Sequence, residues 1–447
     1  MFSYRLYRFV SWIRYTVPRR FTPAGLLALI ALAASGAVGA DMDQTVAFQI
    51  FAFLLSLLLV SMLAAPFFRG RFVARRILPR FGSVGQPLAY HVVVRNATRR
   101  TQRTLEVIDE LLDPRPTRAE FTRARRRLVL EGFRKLRLAA PVPFQPIASG
   151  VKPVALPNLR EHAEATVRSE MIPLRRGALR FAAVIIARPD PLGLFRGFIR
   201  TPLPQSVLIL PKRYPLPNFT LPGSRTYQRG GVALASAIGE SDEFVALRDY
   251  RPGDPLRHIH WRSWARHGRP VVKEFQDEFF VRHALILDTF ANGEQQAVFE
   301  EAVSVAASFA CTVGTQETLL DLLFVGPQAV CVTTGRGLGQ AEQALEALAA
   351  VQPGATQPFS ALEELIMRYA GALCGCVCVL IDWDEARREL VRKLEARGLP
   401  VVVLLITGPA TSKRETTIPV AERSEHFFTL EAGQIAEGLQ RLGKELA

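Results

Sequence analysis

The densest run of chemically capable side chains lies between residues 239 and 266. Gly239-Glu240-Ser241-Asp242-Glu243-Phe244 is followed by Leu247-Arg248-Asp249-Tyr250-Arg251-Pro252-Gly253-Asp254-Pro255-Leu256-Arg257-His258-Ile259-His260-Trp261-Arg262-Ser263-Trp264-Ala265-Arg266. Two chemistries are open to it. A His258 or His260 imidazole oriented by Asp254 or Asp249 would act as a general base, and a metal-assisted hydrolase could be built on Asp254, His258 and His260. As metal ligands the two histidines stand at i and i+2, a spacing that suits a strand better than a helix. Alternatively, Arg248, Arg251, Arg257, Arg262 and Arg266 pair with Glu240, Asp242, Glu243, Asp249, Asp254, Glu274 and Asp277. Bidentate guanidinium–carboxylate bonds would then hold a structural or partner-docking surface, with Trp261 and Trp264 as apolar anchors. The second reading is favoured, because the chain carries no nucleophile elbow, phosphate-binding loop or HExxH zinc helix. Pro252-Gly253-Asp254-Pro255 reads as a turn, with Asp254 placed to cap a helix-like stretch after it.

The elements that must position this run begin with two apolar segments. Residues 23–40 are free of charge, and after Asp41-Met42-Asp43-Gln44 a second apolar run covers residues 45–68. Each is near the roughly 20 residues that cross a bilayer core, so residues 21–70 are expected to form a pair of transmembrane helices. Arg5, Arg8, Arg14, Arg19 and Arg20 precede the pair and Arg69, Arg71, Arg75, Arg76 and Arg80 follow it, with only Asp41 and Asp43 at the tip. The positive-inside rule then puts both flanks in the cytoplasm and makes this a multi-pass protein of the inner (plasma) membrane. Val38-Gly39-Ala40 would also satisfy a signal-peptide cleavage site, and the second run would still leave the arginines inside. In the basic, aromatic segment 1–20, Tyr4, Tyr7, Trp12 and Tyr15 interleave with Arg5, Arg8 and Arg14. That mixture suits the headgroup layer, or is simply a flanking segment.

The net charge of +15, from 56 Lys and Arg against 41 Asp and Glu, could serve nucleic acid or an anionic membrane surface. Because so much of the excess flanks the apolar runs, membrane is the expected partner and nucleic acid is not. All five cysteines fall in the C-terminal third without CxxC spacing, and Cys374, Cys376 and Cys378 alternate inside an apolar run. On a strand they would share one face as small hydrophobes, and unpaired buried thiols suit a reducing compartment.

Between residues 83 and 215 short strand-like runs at 89–94, 104–108, 126–130, 164–167, 179–186 and 207–210 predict an immunoglobulin-like β-sandwich. A glycine-rich polar stretch at 222–241 follows. From residue 281 to 447 strands and helices alternate: strand 283–287, helix 294–312, strands 319–325 and 329–333, helices 340–351 and 359–370, strand 376–381, helix 385–397, strand 400–406 and a helix near 432–446. This predicts a doubly wound α/β domain. Asp288 and Asp382 then stand at carboxyl ends of strands, where such sheets bind ligands.

The segment 236–280 closely resembles the signature of domain-of-unknown-function family 58. Members carry Arg-x-Tyr-x-x-Gly-Asp, then Arg-x-Ile-x-Trp and an Ala-Arg pair, matched here by Arg248, Tyr250, Gly253, Asp254, Arg257, Ile259, Trp261, Ala265 and Arg266. Glu243 precedes this set. His260 departs from the pattern, since many members have Asp before the Trp, which weakens a catalytic carboxylate there. The resemblance implies a bacterial membrane protein with two N-terminal spans, a β-rich middle and a C-terminal domain similar to von Willebrand factor type A. Domains of that type often hold Mg2+ through Asp-x-Ser-x-Ser with a later Thr and Asp. Here the stretch is Asp288-Thr289-Phe290-Ala291-Asn292, and Phe290 cannot ligate, so Asp288, Asn292 and Asp382, with Thr356, would form only a degraded, weak Mg2+ site, and no cofactor is expected. The resemblance further implies association with MoxR-type AAA+ ATPases in assembly or maturation of envelope complexes. The leading expectation is a non-enzymatic, membrane-tethered adaptor, with the metal-assisted hydrolase as its rival.

Overall fold

The computed structural model describes residues 2–38, 45–112, 121–122, 147–217, 244–254, 256–275, 281–291, 295–312, 318–335, 338–354, 357–408 and 426–445. The chain divides into two units, Met1–Ile209 and Leu210–Ala447.

The first unit opens with helices α1 (Phe2–Arg20), α2 (Pro23–Val38) and α3 (Thr45–Ala64). Among the described residues one helix, spanning Val46–Phe67, is long and apolar enough to cross a membrane. At 1.5 Å per residue its 22 residues reach about 33 Å, against a hydrocarbon core of about 30 Å. The sequence predicts two spans, but α2 has only 16 residues, about 24 Å. Thr22 starts it: its hydroxyl oxygen accepts from the Gly25 amide at 3.0 Å, with Pro23 in the first turn, where a missing N–H costs nothing.

Nine strands follow: β1 (Phe72–Ile77), β2 (Phe81–Ser83), β3 (Leu88–Asn96), β4 (Leu105–Leu111), β5 (Ala148–Ser149), β6 (Val154–Leu156), β7 (Glu164–Pro173), β8 (Gly177–Pro189) and β9 (Arg196–Leu210). They form a four-stranded sheet β1-β3-β7-β5 and a five-stranded sheet β2-β9-β8-β4-β6, all antiparallel where paired in the two large ladders. Strict alternation aims Leu88, Tyr90, Val92 and Val94 of β3 at one core, which Val107, Phe181, Ile186 and Ile209 of the other sheet complete. The strand predicted at 126–130 lies outside the described residues, and β1, β2, β5 and β6 match none of the predicted runs.

A buried ionic link joins the two sheets. Arg76 on β1 bonds Asp109 on β4 through Nε at 3.0 Å and through Nη2, and Tyr90 donates to the other Asp109 oxygen at 2.7 Å. Arg76 also lies over the Phe181 ring, 4.2 Å from its centroid. Arg76 is therefore no part of the exposed basic flank in which the sequence reading placed it.

The loop between β8 and β9 receives the helices. Asp190 accepts from the amides of Leu192, Leu194 and Phe195 at 3.0, 2.7 and 2.8 Å. Burial raises the pKa of this carboxyl, and the amides of Phe195, Leu192 and Leu194 outweigh it, leaving it below its ordinary value. Against the loop so fixed, Thr22 donates its amide to Leu194 O at 3.1 Å and its hydroxyl to Gly193 O. Arg196 clamps the junction, bonding Phe21 O at 2.7 Å and Glu106 at 2.8 Å. A Cβ at Gly25 would stand 1.9 Å from Leu194 O, so this approach requires glycine.

The second unit begins with a hairpin of β10 (Phe244–Asp249) and β11 (Val271–Phe275), between which α4 (Trp261–His267) is inserted. Then come β12 (Val281–Leu287), α5 (Gln296–Thr312), β13 (Thr318–Val325), β14 (Ala329–Thr334), α6 (Leu338–Ala350), α7 (Ser360–Tyr369), β15 (Gly375–Leu380), α8 (Glu385–Glu395), β16 (Val401–Thr407), β17 (His426–Glu431) and α9 (Ile435–Glu445). The sheet runs β14-β13-β12-β15-β16-β17, with only the β13–β14 pair antiparallel. Its central strands β15 and β16 are buried throughout, as a sheet covered on both faces requires. Cys374, Cys376 and Cys378 are buried; burial pushes the Cys376 thiol up to about 12.

Candidate functional site

The signature is built around one turn. Arg251-Pro252-Gly253-Asp254 closes with the Asp254 amide on Arg251 O at 3.0 Å, and Gly253 takes φ +106°, a conformation that L side chains rarely adopt. The Asp254 carboxylate returns the bond, accepting from the Arg251 amide at 2.8 Å. Both its oxygens also take the Arg248 guanidinium, Oδ2 at 2.7 Å and Oδ1 at 2.8 Å. The Arg248 bonds lead, with the Arg251 amide, in holding this carboxyl down at about 2. Asp254 thus locks the turn that leads into the short 3-10 helix Leu256–His258. The cap is His260, which precedes α4 and whose carbonyl accepts from the Ser263 and Trp264 amides at 3.0 and 3.1 Å. Its Nδ1 lies 2.7 Å from Ser263 Oγ, a contact between side chains, and the imidazole itself makes no capping bond to the helix backbone. Asp at this position, frequent in relatives by the resemblance, is itself a favoured cap.

These bonds reduce the case for acid–base chemistry. Asp254 spends its lone pairs on Arg248 and Arg251, and His260 spends Nδ1 on Ser263. Tyr250 contributes its backbone amide to Pro270 O at 2.9 Å, and Ile259, buried, bridges to Val272. Gly268 ends α4 at φ 65°. Of the wider carboxylate network, Glu240, Asp242, Glu243 and Asp277 lie outside the described residues.

What remains on the surface is apolar and basic. Trp261 is 63% exposed and Leu256 67% exposed. Trp261 stacks on Trp264 with ring centroids 5.2 Å apart and 17° between planes. Arg251, Arg257, Arg262, Ala265, Arg266 and Arg269 are exposed around them in the chain. Trp and Arg are the side chains most enriched where protein interfaces concentrate their binding energy.

The carboxylates at the carboxyl end of the large sheet are also committed. Asp288, fully buried after β12, accepts from Arg387 Nε at 2.6 Å, from the Ile381 amide at 3.3 Å and from the Phe290 amide at 3.0 Å. Arg387 bonds Asp384 as well, at 2.6 Å. Burial lowers the pKa of Arg387, and the bonds to Asp288 and the charges of Asp288 and Asp384 outweigh it, so it stands above its ordinary value. Thr289 donates to Val325 O. Asp382 is exposed and accepts from the Trp383 amide at 2.8 Å, while Asn292 and Thr356 lie outside the described residues. Among the described residues of this set, Asp288 is already balanced by the Arg387 guanidinium. Among the described residues no group of three or more His, Cys, Asp and Glu could hold a metal ion.

Arg387 escaped the sequence reading although its spacing marks it. Arg387, Leu390, Val391 and Leu394 follow i, i+3, i+4, i+7, and all four are buried. A charged residue on that stripe needs a buried partner.

Residues 246–419 match the family described as Protein of unknown function DUF58. The Uncharacterized protein YeaD of Bacillus subtilis (strain 168) is 28% identical over 204 residues, which make up 45% of this chain and 50% of that protein. The chain thus spans about half the length of this curated relative. Among solved structures, the manganese-loaded TRAP protein of Plasmodium vivax covers 36% of this chain and 73% of its own at 10% identity, with a TM-score of 0.26. The β-glucosidase of Listeria innocua covers 31% of this chain and 16% of its own at 14% identity, with a TM-score of 0.16. Scores this low bear on neither fold nor ligand. Signature and family match together give one conclusion: over residues 246–419 the chain is similar to the DUF58 family.

Proposed function

We propose that this protein is a membrane-anchored adaptor whose signature hairpin is a docking surface for a protein partner on the cytoplasmic side. The observation that carries the reading is the pairing of exposed Trp261 and Leu256 with a surround of arginines, while Asp254 and His260 are engaged in holding the turn and the helix cap. The partner we assign is a MoxR-type AAA+ ATPase, on the strength of the family resemblance, with assembly or maturation of envelope complexes as the task. In this reading α2 and α3 form a two-pass hairpin, the β-rich unit is immunoglobulin-like and the C-terminal domain is of the von Willebrand factor type A kind. Exposed Arg69, Arg71, Arg75 and Arg80 after α3 support a cytoplasmic placement of both units.

The test is affinity capture of the detergent-solubilised full chain beside a Leu256→Ser/Trp261→Ala variant. Both side chains are exposed, so the variant keeps its fold. Recovery of the ATPase with the wild type and its loss from the variant is the expected result. Equal recovery with both would remove the surface from the interface, and turnover of a substrate abolished by His258→Ala would favour the hydrolase.

A further inference from the structure

The two sides of α1 meet different surroundings. On one, Tyr4 and Tyr7 close on the Phe121 ring, with centroids 5.3 and 4.8 Å away, and Ser11 is 7% exposed. These positions, i, i+3 and i+7, mark the side that faces the rest of the unit. On the other side Phe9, Trp12 and Ile13, at i, i+3 and i+4, stay 58%, 51% and 37% exposed, and neighbouring Val10 stays 54% exposed. Phe9 and Trp12 stack at 6.4 Å. Arg5 and Arg8, both exposed, stand one turn before Phe9 and Trp12 and border the apolar stripe.

An aromatic and aliphatic face left open on a helix already packed on its opposite side calls for a third body. Its bordering arginines call for phosphate or carboxylate. The chain passes from α1 through Phe21 and Thr22 directly into apolar α2, and from there to α3, the helix long enough to cross a bilayer. Thr22 is fastened to the loop of Asp190, so the place where the apolar helices begin is fixed on the β-rich unit. We infer that α1 lies in the plane of an anionic bilayer surface. Phe9, Val10, Trp12 and Ile13 enter the boundary between headgroups and acyl chains, and Arg5 and Arg8 meet the lipid phosphates. Trp12 suits that depth, its ring apolar and its N–H able to find a polar partner. The helix then serves as a spacer that seats the β-rich unit on the membrane. This rests on the membrane reading of α3.

The full chain is reconstituted in nanodiscs of phosphatidylcholine and phosphatidylglycerol, with acyl chains brominated either near the headgroups or near the chain ends. Emission of the wild type minus that of Trp12→Phe isolates Trp12. Phe53→Trp in the Trp12→Phe background reports on α3, and both substitutions fall at exposed aromatic positions. The expected result is that Trp12 is quenched more by shallow than by deep bromines, while the tryptophan at position 53 is quenched by the deep ones. Trp12 unquenched beside a quenched position 53 would overturn the interfacial helix and leave the membrane reading standing, as would quenching of Trp12 that is deep rather than shallow. Both unquenched would overturn the two together.

Discussion

Arg387 and Asp288, 99 residues apart in the chain, meet at 2.6 Å in the interior of the C-terminal domain. A buried guanidinium in the first turn of α8 faces the positive end of the helix dipole, and the Asp384 cap and Asp288 offset it. Breaking such a pair strands a buried carboxylate, which costs about 3–5 kcal/mol. Arg387→Ala is expected to lose stability on that scale in urea denaturation, and added Mg2+ should raise its melting temperature. The wild type should not respond to Mg2+. A rise in the wild-type Tm with Mg2+ would contradict the assignment of Arg387 as the resident cation.

The Asp254 lock has a defined pH window. Its carboxyl ordinarily titrates at 3.8 and in the folded hairpin at about 2. A depressed folded value means that the contribution is complete above the unfolded pKa and is lost as pH falls through the folded one. Protection of the Arg251 and Asp254 amides against hydrogen exchange, relative to their intrinsic rates at each pH, should therefore hold at neutral pH and fall between about pH 4 and 2. Asp254→Asn should flatten that profile.

The Arg76–Asp109 link predicts an asymmetry between single and double substitutions. Asp109→Ala leaves Arg76 charged and buried, and should cost about 3–5 kcal/mol. Arg76→Met combined with Asp109→Leu should cost less than either single change, measured by chemical denaturation. A double variant as unstable as the sum of the singles would mean that the pair is worth little and the site is governed by packing.

His260 tests the structural reading of the motif. As a cap contacting Ser263 it should be replaceable by Asp, with a gain of up to about 1 kcal/mol in stability. A loss of partner binding in a stable His260→Asp variant would give the imidazole a role beyond capping.

Much of this architecture was legible in the sequence, and the exceptions have physical reasons. The C-terminal alternation was readable because the strands and the buried faces of the helices keep their periods over the whole element: the strand read at 319–325 is β13, Thr318–Val325. β17, His426–Glu431, was missed because its exposed and half-buried residues lack the apolar run of β16. Arg76 looked like a membrane-flanking charge, although Phe72, Ala74 and Arg76 alternate inward along β1. Composition by itself hides such a residue, and only period 2 reveals it. In the candidate site the turn at Gly253 and guanidinium–carboxylate pairing could be read from residue types, whereas the choice of Asp254 as the partner of Arg248, six positions on, depended on the turn's geometry. The first apolar run was read as long enough to span, and its described helix, Pro23–Val38, has 16 residues.

In the proposed docking surface exposed Trp261 touches the partner and Arg248 holds the turn. We would measure binding of a purified MoxR-type AAA+ ATPase to the nanodisc-held chain for wild type, Trp261→Ala and Arg248→Ala, with the melting temperature of each. Trp261→Ala is expected to weaken binding by at least about tenfold, a loss of about 1.4 kcal/mol, at unchanged Tm, and Arg248→Ala to lower both. Wild-type affinity in a folded Trp261→Ala protein, or no binding by the wild type, would contradict it.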